Sequence, residues 1–123
     1  MKSYRDLTVW RLAMDIAEQV YLLTKAFPNS ETYGMTTQIR RAAVSIAANI
    51  AEGHGRETSG AFVSFLRIAQ GSLKELETHL LLSVRVGLAD QAKTESLMQM
   101  CDEQGRMLRS LIRSIQSKAD QEE

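Results

Sequence analysis

The stretch Gln38-Ile39-Arg40-Arg41-Ala42-Ala43-Val44-Ser45-Ile46-Ala47-Ala48-Asn49-Ile50-Ala51-Glu52-Gly53 decides the fold. Together with Met35, its residues Ile39, Ala42, Ala43, Ile46, Ala47 and Ile50 recur at helical spacing and form one apolar face of a helix over Met35–Glu52. Alanine, the best helix former, fills the positions between. Gly53 and Gly55 are read as the stop, because glycine accepts the left-handed conformation that closes a helix. Arg41, Ser45, Asn49 and Glu52 follow one another at spacings of four, four and three, so they share a polar strip beside the apolar face.

Working outward, the same periodicity predicts three more helices. The first covers Leu7–Ala26, with Asp6 as its N-cap and Phe27-Pro28 ending it. Leu7, Trp10, Ala13, Met14, Ala17, Val20, Tyr21 and Thr24 share a face, and Val9, Leu12, Ile16 and Leu23 widen it to roughly 220° of arc. The third covers Ser59–Val86, ended by Gly87, with a stripe of Phe62, Phe65, Leu66, Ala69, Leu73, Leu76, Leu80 and Val84. Ile68, Leu82 and Val86 lie nearly opposite that stripe. The fourth covers Asp90–Gln116, with Leu97, Cys101, Leu108, Leu111, Ile112 and Ile115 inward, and the polar tail Ser117–Glu123 is expected to fray. Short connections make consecutive helices antiparallel, which predicts an all-α, up-down-up-down four-helix bundle. The surplus apolar arc on the first and third helices needs a further partner, and it argues for self-association.

Composition bounds the rest. A chain of 123 residues and 13.8 kDa is one domain, 1–123. Area scaling gives a folded surface near ~6,600 Å² against ~20,000 Å² unfolded, enough burial for one core. Hydrophobic residues make up 44%, which excludes a disordered chain. Fifteen basic and fifteen acidic residues cancel, so the broad positive field of a nucleic-acid binder is absent and only a local patch can serve. The single cysteine excludes an internal disulfide and fits a reducing compartment. No apolar leader and no stretch long enough to span a bilayer is present, so the expectation is a cytoplasmic protein without membrane contact.

The chain resembles the four-helix bundle family named for the 23S ribosomal RNA intervening-sequence protein. The matching residues begin with Tyr4-Arg5-Asp6-Leu7-Thr8-Val9-Trp10, then Phe27-Pro28, Glu31 and Tyr33-Gly34, and are densest over Gln38–Gly53. Phe65-Leu66, Ile68-Ala69, Gly71-Ser72-Leu73, Glu75-Leu76-Glu77-Thr78, Arg106-Met107-Leu108 and Leu111-Ile112 complete the match. The chain departs from the family's pattern at Ala47-Ala48, where a Pro-Ser is common, and at Arg109-Ser110, where Asn-Gly is common. The resemblance implies a ring, commonly a homopentamer. Many such proteins are encoded within insertions in bacterial ribosomal RNA genes, and the name records that location and no activity. A related branch, the accessory proteins of diversity-generating retroelements, binds a reverse transcriptase and nucleic acid through basic surfaces.

Five groups of residues are candidates for chemistry. Arg41, Ser45, Asn49 and Glu52, with Glu75 and Glu77 of the third helix as partners for a half-buried Arg41, read as a structural polar network; a ligand pocket is the sharper alternative. Ala47, Ala48, Ala51 and Gly71 would let helices approach closely around it. Gly53-His54-Gly55-Arg56 precedes a helix, but it lacks a phosphate loop's lysine and spacing and reads as a terminator. Glu75 and His79 stand one turn apart without the repeated Glu-x-x-His of di-metal bundles, so no metal or other cofactor is expected. Cys101 falls on an inner face and reads as a structural thiol. Arg106, Arg109 and Arg113 form a basic stripe, with Asp102 one turn earlier; it reads as a salt-bridged face or, joined by Arg56 and Arg67, as a phosphate contact. No pair of residues suggests nucleophilic or acid–base catalysis. The sequence thus predicts a non-enzymatic oligomeric scaffold or binding module that assembles with itself and with an unnamed protein partner. The alternative is an RNA- or DNA-binding accessory protein whose binding is weak for one protomer.

Overall fold

The computed structural model describes residues 3–122; Met1, Lys2 and Glu123 lie outside it. The described residues form four α-helices and no strand: α1 (Thr8–Thr24), α2 (Met35–His54), α3 (Ser59–Arg85) and α4 (Gln91–Glu122). Short 3₁₀ turns at Tyr4–Asp6 and Asn29–Glu31 precede α1 and α2. Each long helix runs beside two others: α1 and α3 each lie alongside α2 and α4, so α1 stands diagonally across the core from α3, and α2 from α4. One cluster of buried side chains fills the space between, with Ile16, Ile39, Ile46, Ile50, Leu66, Leu73, Leu76, Leu80 and Leu108 at its centre. Each such side chain contributes about 1.5–3 kcal/mol by leaving water.

Helix ends follow local chemistry, with three departures from the expected pattern. Asp6 does not cap α1. Ser3 caps the preceding 3₁₀ turn by accepting from the Arg5 N–H at 3.1 Å, and Leu7 stands at the N-cap of α1 without a side-chain bond. Gly53 does not end α2. It lies inside the helix, and α2 closes at Gly55 with φ −77°, so no left-handed residue is involved. The left-handed stop occurs at Gly87, where φ is +80°. The Leu88 and Ala89 N–H groups there donate back to the Ser83 carbonyl at 2.8 and 3.1 Å. Finally, α4 does not stop at Gln116; it continues through Ser117–Asp120 to Glu122. The Asp90 carboxylate starts it by accepting from the Lys93 N–H at 2.9 Å.

The buried stripe of α1 is rotated from the expected one. Val9, Ala13, Ile16, Val20 and Leu23 are buried, whereas Met14 and Tyr21 face outward. Those two share the α1–α2 seam with Trp10, and Tyr4 packs edge-on against Trp10 at 5.2 Å. The end of α1 is tied to the first half of α2 by polar atoms. Buried Thr24 donates to the Val20 carbonyl and accepts from Arg40 Nε, both at 2.8 Å, and the Arg40 guanidinium lies 4.5 Å from the Tyr21 ring. Among the described residues, no helix is long and apolar enough to cross a membrane.

Candidate functional site

The polar strip of α2 resolves into a small seam contact and several separate surface pairs. Ser45 Oγ lies 2.8 Å from Ser72 Oγ of α3. Asn49 Nδ2 donates to the Ser45 carbonyl at 2.8 Å and to Ser45 Oγ at 3.0 Å, which leaves the Ser45 hydroxyl proton for Ser72. The other expected members do not join. Arg41 is exposed and makes no ion pair among the described residues. Glu52 pairs with Arg56 at 2.9 Å, Glu77 with Lys74 at 3.1 Å, and Glu75 with His79 at 3.5 Å. Two of these bridges lie within α3, the third joins α2 to Arg56 just beyond its end, and such short-range, partly exposed pairs contribute at most about 0.5 kcal/mol. Arg41 stays in water because a charge enters a seam only at a large desolvation cost, and two neutral hydroxyls fill that seam more cheaply. The strip therefore offers no closed pocket among its described residues.

Close approach at the α2–α3 seam depends on Gly53, not on Gly71. Gly71 is exposed, and a Cβ there would meet nothing within 4 Å. Gly53 is buried, and a Cβ there would meet Phe65 Cβ at 2.7 Å and Phe62 Cδ1 at 3.1 Å. Gln104 is a buried polar group that the periodicity had passed over. It is fully enclosed and donates from Nε2 to the Val9 carbonyl of α1 at 3.1 Å, while its Oε1 has no partner. It falls three residues after Cys101 and four before Leu108, and that heptad spacing was the signal that placed it inside.

The basic stripe is brought together as expected by spacing. Arg106, Arg109 and Arg113, with Ser110, line an open surface hollow of about 270 Å³ on α4. All three are exposed and none has an ion-pair partner among the described residues, Asp102 included. Arg56 is not part of this hollow; it is held by Glu52 and lies 4.9 Å over the Phe65 ring. Arg67, exposed on α3, does not line it either.

Two apolar grooves are open to solvent. The first, of about 660 Å³, lies between α1 and α2 and is lined by Trp10, Met14, Ala17, Tyr21, Val44 and Ala48, with Asp15 and Glu18. The second, of about 680 Å³, lies where α3 meets α4 and is lined by Leu81, Leu82, Val84 and Met98, with Thr94, Arg85 and Glu95. Met14, Tyr21, Val44, Leu81 and Leu82 are each 42–54% exposed, a large apolar surface for a small chain.

Cys101 is fully buried, and its pKa is pushed up from 9.0 to about 12. Burial is the main cause, and the carboxylates of Glu77 and Asp102 add to it. A thiol held neutral in this way is a poor nucleophile near neutral pH. Among the described residues, no group of three or more His, Cys, Asp or Glu side chains is placed to hold a metal.

Comparison with known proteins now places the chain. A crystal structure of a protein of unknown function from the S23 ribosomal protein family of Bacteroides thetaiotaomicron VPI-5482 is similar, with a TM-score of 0.79 and 27% identity. The match covers 85% of this chain and 98% of that one. No curated protein matches the sequence. The family profile of the 23S rRNA-intervening sequence protein matches residues 5–110, and the chain belongs to that family.

Proposed function

We propose that this protein is a non-enzymatic, cytoplasmic scaffold that assembles with itself into a ring, a homopentamer by its resemblance, and presents that ring to a further protein partner. The observation that carries the reading is the pair of uncovered apolar grooves on α1–α2 and α3–α4. The accessible surface of 7501 Å² supports it, being about 900 Å² above the value that scaling gives for a compact monomer of this mass. Consecutive helices run antiparallel in this reading. That is supported by Thr24 meeting Arg40 near the end of α1 and the start of α2, and by Gly53 meeting Phe62 and Phe65 near the end of α2 and the start of α3. The buried, neutral Cys101 and the serine pair held by Asn49 support a structural role over a chemical one. Light scattering at micromolar concentration tests the reading. A mass several times 13.8 kDa is expected, and a mass near 13.8 kDa rejects it.

The unpaired arginine trio favours a second reading, an RNA- or DNA-binding accessory protein acting through a basic rim. Arginine without an acid partner is free to meet phosphate, and a ring would multiply weak contacts by avidity.

A further inference from the structure

We infer that the two apolar grooves are the two halves of one contact: the α1–α2 groove of one copy seats on the α3–α4 groove of the next. The inference rests on the self-association proposed above and goes beyond it by naming both faces.

Three observations lead there. The grooves share no helix, and α1 lies diagonally across the core from α3, as α2 does from α4. The grooves therefore lie on opposite sides of the molecule, and one copy can use both at once. Both are predominantly apolar. Their charges are complementary. The first groove is lined by Asp15 and Glu18 and by no base. Facing it with another copy of itself would bring four carboxylates together as water leaves, and like charges oppose that contact. The second carries Arg85 and Glu95, neither of which has an ion-pair partner among the described residues. Arg85 answers the two carboxylates.

Pairing the second groove with itself would match Arg85 to Glu95 but leave Met14, Tyr21 and Val44 bare in the resulting dimer. The head-to-tail contact covers both grooves on every interior copy. A contact between two different faces repeats from copy to copy and closes into a ring when its rotation allows.

The test uses two variants and their mixture, with mass read by sedimentation. Met14→Glu places a third carboxylate in the first groove, and Leu82→Glu places a charge in the second. Both positions are about half exposed, at 45% and 44%, so the fold is retained, and circular dichroism checks it. Each variant alone is expected near 13.8 kDa, because each lacks one half of the contact. Mixed one to one, they are expected to form a pair of twice that mass, since each supplies the half the other lacks. Assembly of either single variant at the wild-type mass would overturn the inference, as would a mixture that stays monomeric. Wild-type protein at the monomer mass would instead sink self-association itself. A charge pair gives a second route: Arg85→Glu is expected to weaken assembly and Glu18→Arg, added to it, to restore it. Absence of rescue counts against the pairing.

Discussion

Gly53 and Phe65 approach so closely across the α2–α3 seam that a methyl group on the first would sit 2.7 Å from the Cβ of the second. A Cβ is anchored to the backbone and cannot swing aside, so the two helices themselves would have to part. The Phe62 carbonyl, 3.3 Å from the same point, closes the other side. Gly53 thus sets the distance between α2 and α3, and the serine pair across the same seam depends on that spacing.

Gly53→Ala is therefore expected to destabilise the fold. Overpacking costs about 1–3 kcal/mol, while the better helix propensity of alanine returns ~1 kcal/mol, leaving a net loss of up to about 2 kcal/mol. Gly55→Ala should have the opposite sign. Its φ of −77° suits any residue, and the nearest atom to an added Cβ is the Glu52 carbonyl oxygen at an ordinary 3.5 Å. The gain is about 0.4–1 kcal/mol through the unfolded chain. Urea unfolding of both variants measures the pair, and equal signs would contradict the geometry.

These two glycines also show where sequence reading ended. Both stand after a run of small apolar residues, and a glycine there reads as a stop; only the position of Phe65 on another helix separates a spacer from a terminator. Periodicity located all four helices, because Ile39, Ile46, Leu66, Leu73 and Leu80 repeat at spacings that only a helix brings to one side. It could not fix the rotation of α1, since an apolar arc of about 220° contains more than one stripe fit for the core. Val9, Ile16 and Leu23 took the inside and left Met14 and Tyr21 for the groove. Arg41 was misplaced for a related reason. Its spacing from Ser45 and Asn49 is legible, but only the position of Ser72 on α3 shows which part of the strip faces the seam and which faces water. The basic stripe needed only helical spacing, and its arginines stand together as that spacing requires.

Gln104 supplies the second prediction. Its Nε2 serves a Val9 carbonyl that already has its helical partner, while its own Oε1 is buried without one. Removing both polar ends while keeping the volume releases that unpaired oxygen, so Gln104→Met should be neutral or mildly stabilising. Gln104→Ala removes the volume as well and should cost about 1–3 kcal/mol through the cavity left between α1 and α4. A Met variant weaker than the Ala variant in a denaturant titration would show that the bond to Val9 outweighs the buried oxygen.

Cys101 supplies the third. Its thiol pKa in the folded chain, about 12, lies above the 9.0 of a free thiol. The unfolded chain therefore loses its proton first as pH rises, and stability falls between those two values. By pH ~10.5 the loss from this group alone should reach about 2 kcal/mol relative to pH ~8. Unfolding curves for the wild type and Cys101→Ala, compared across that range, isolate it: the variant should lack this portion of the decline. Below pH ~8 both pH profiles should be parallel, since the thiol is neutral in folded and unfolded chains alike. A thiol reagent should also leave the folded protein unlabelled near neutral pH, where rapid labelling would contradict the burial.

Arg106, Arg109 and Arg113 supply the last, which separates the two functional readings. Three exposed guanidiniums on one face can each meet a phosphate, yet the chain as a whole carries fifteen acids against fifteen bases. Attraction is therefore local, and one protomer reaches only a few phosphates. Each contact releases counterions, so log Kobs for single-stranded RNA should fall with log salt at a slope of about −0.7 per phosphate, near −2 for one protomer. Binding should be independent of sequence, because phosphate contacts carry no base information. At physiological salt we expect weak binding to single-stranded RNA and duplex DNA in a fluorescence-anisotropy titration, with a loss of affinity when all three arginines become alanine. Submicromolar affinity at that salt, abolished in the triple variant, would reverse the order of the two readings. It would make the basic rim the working surface of the ring and the apolar grooves the means of multiplying it.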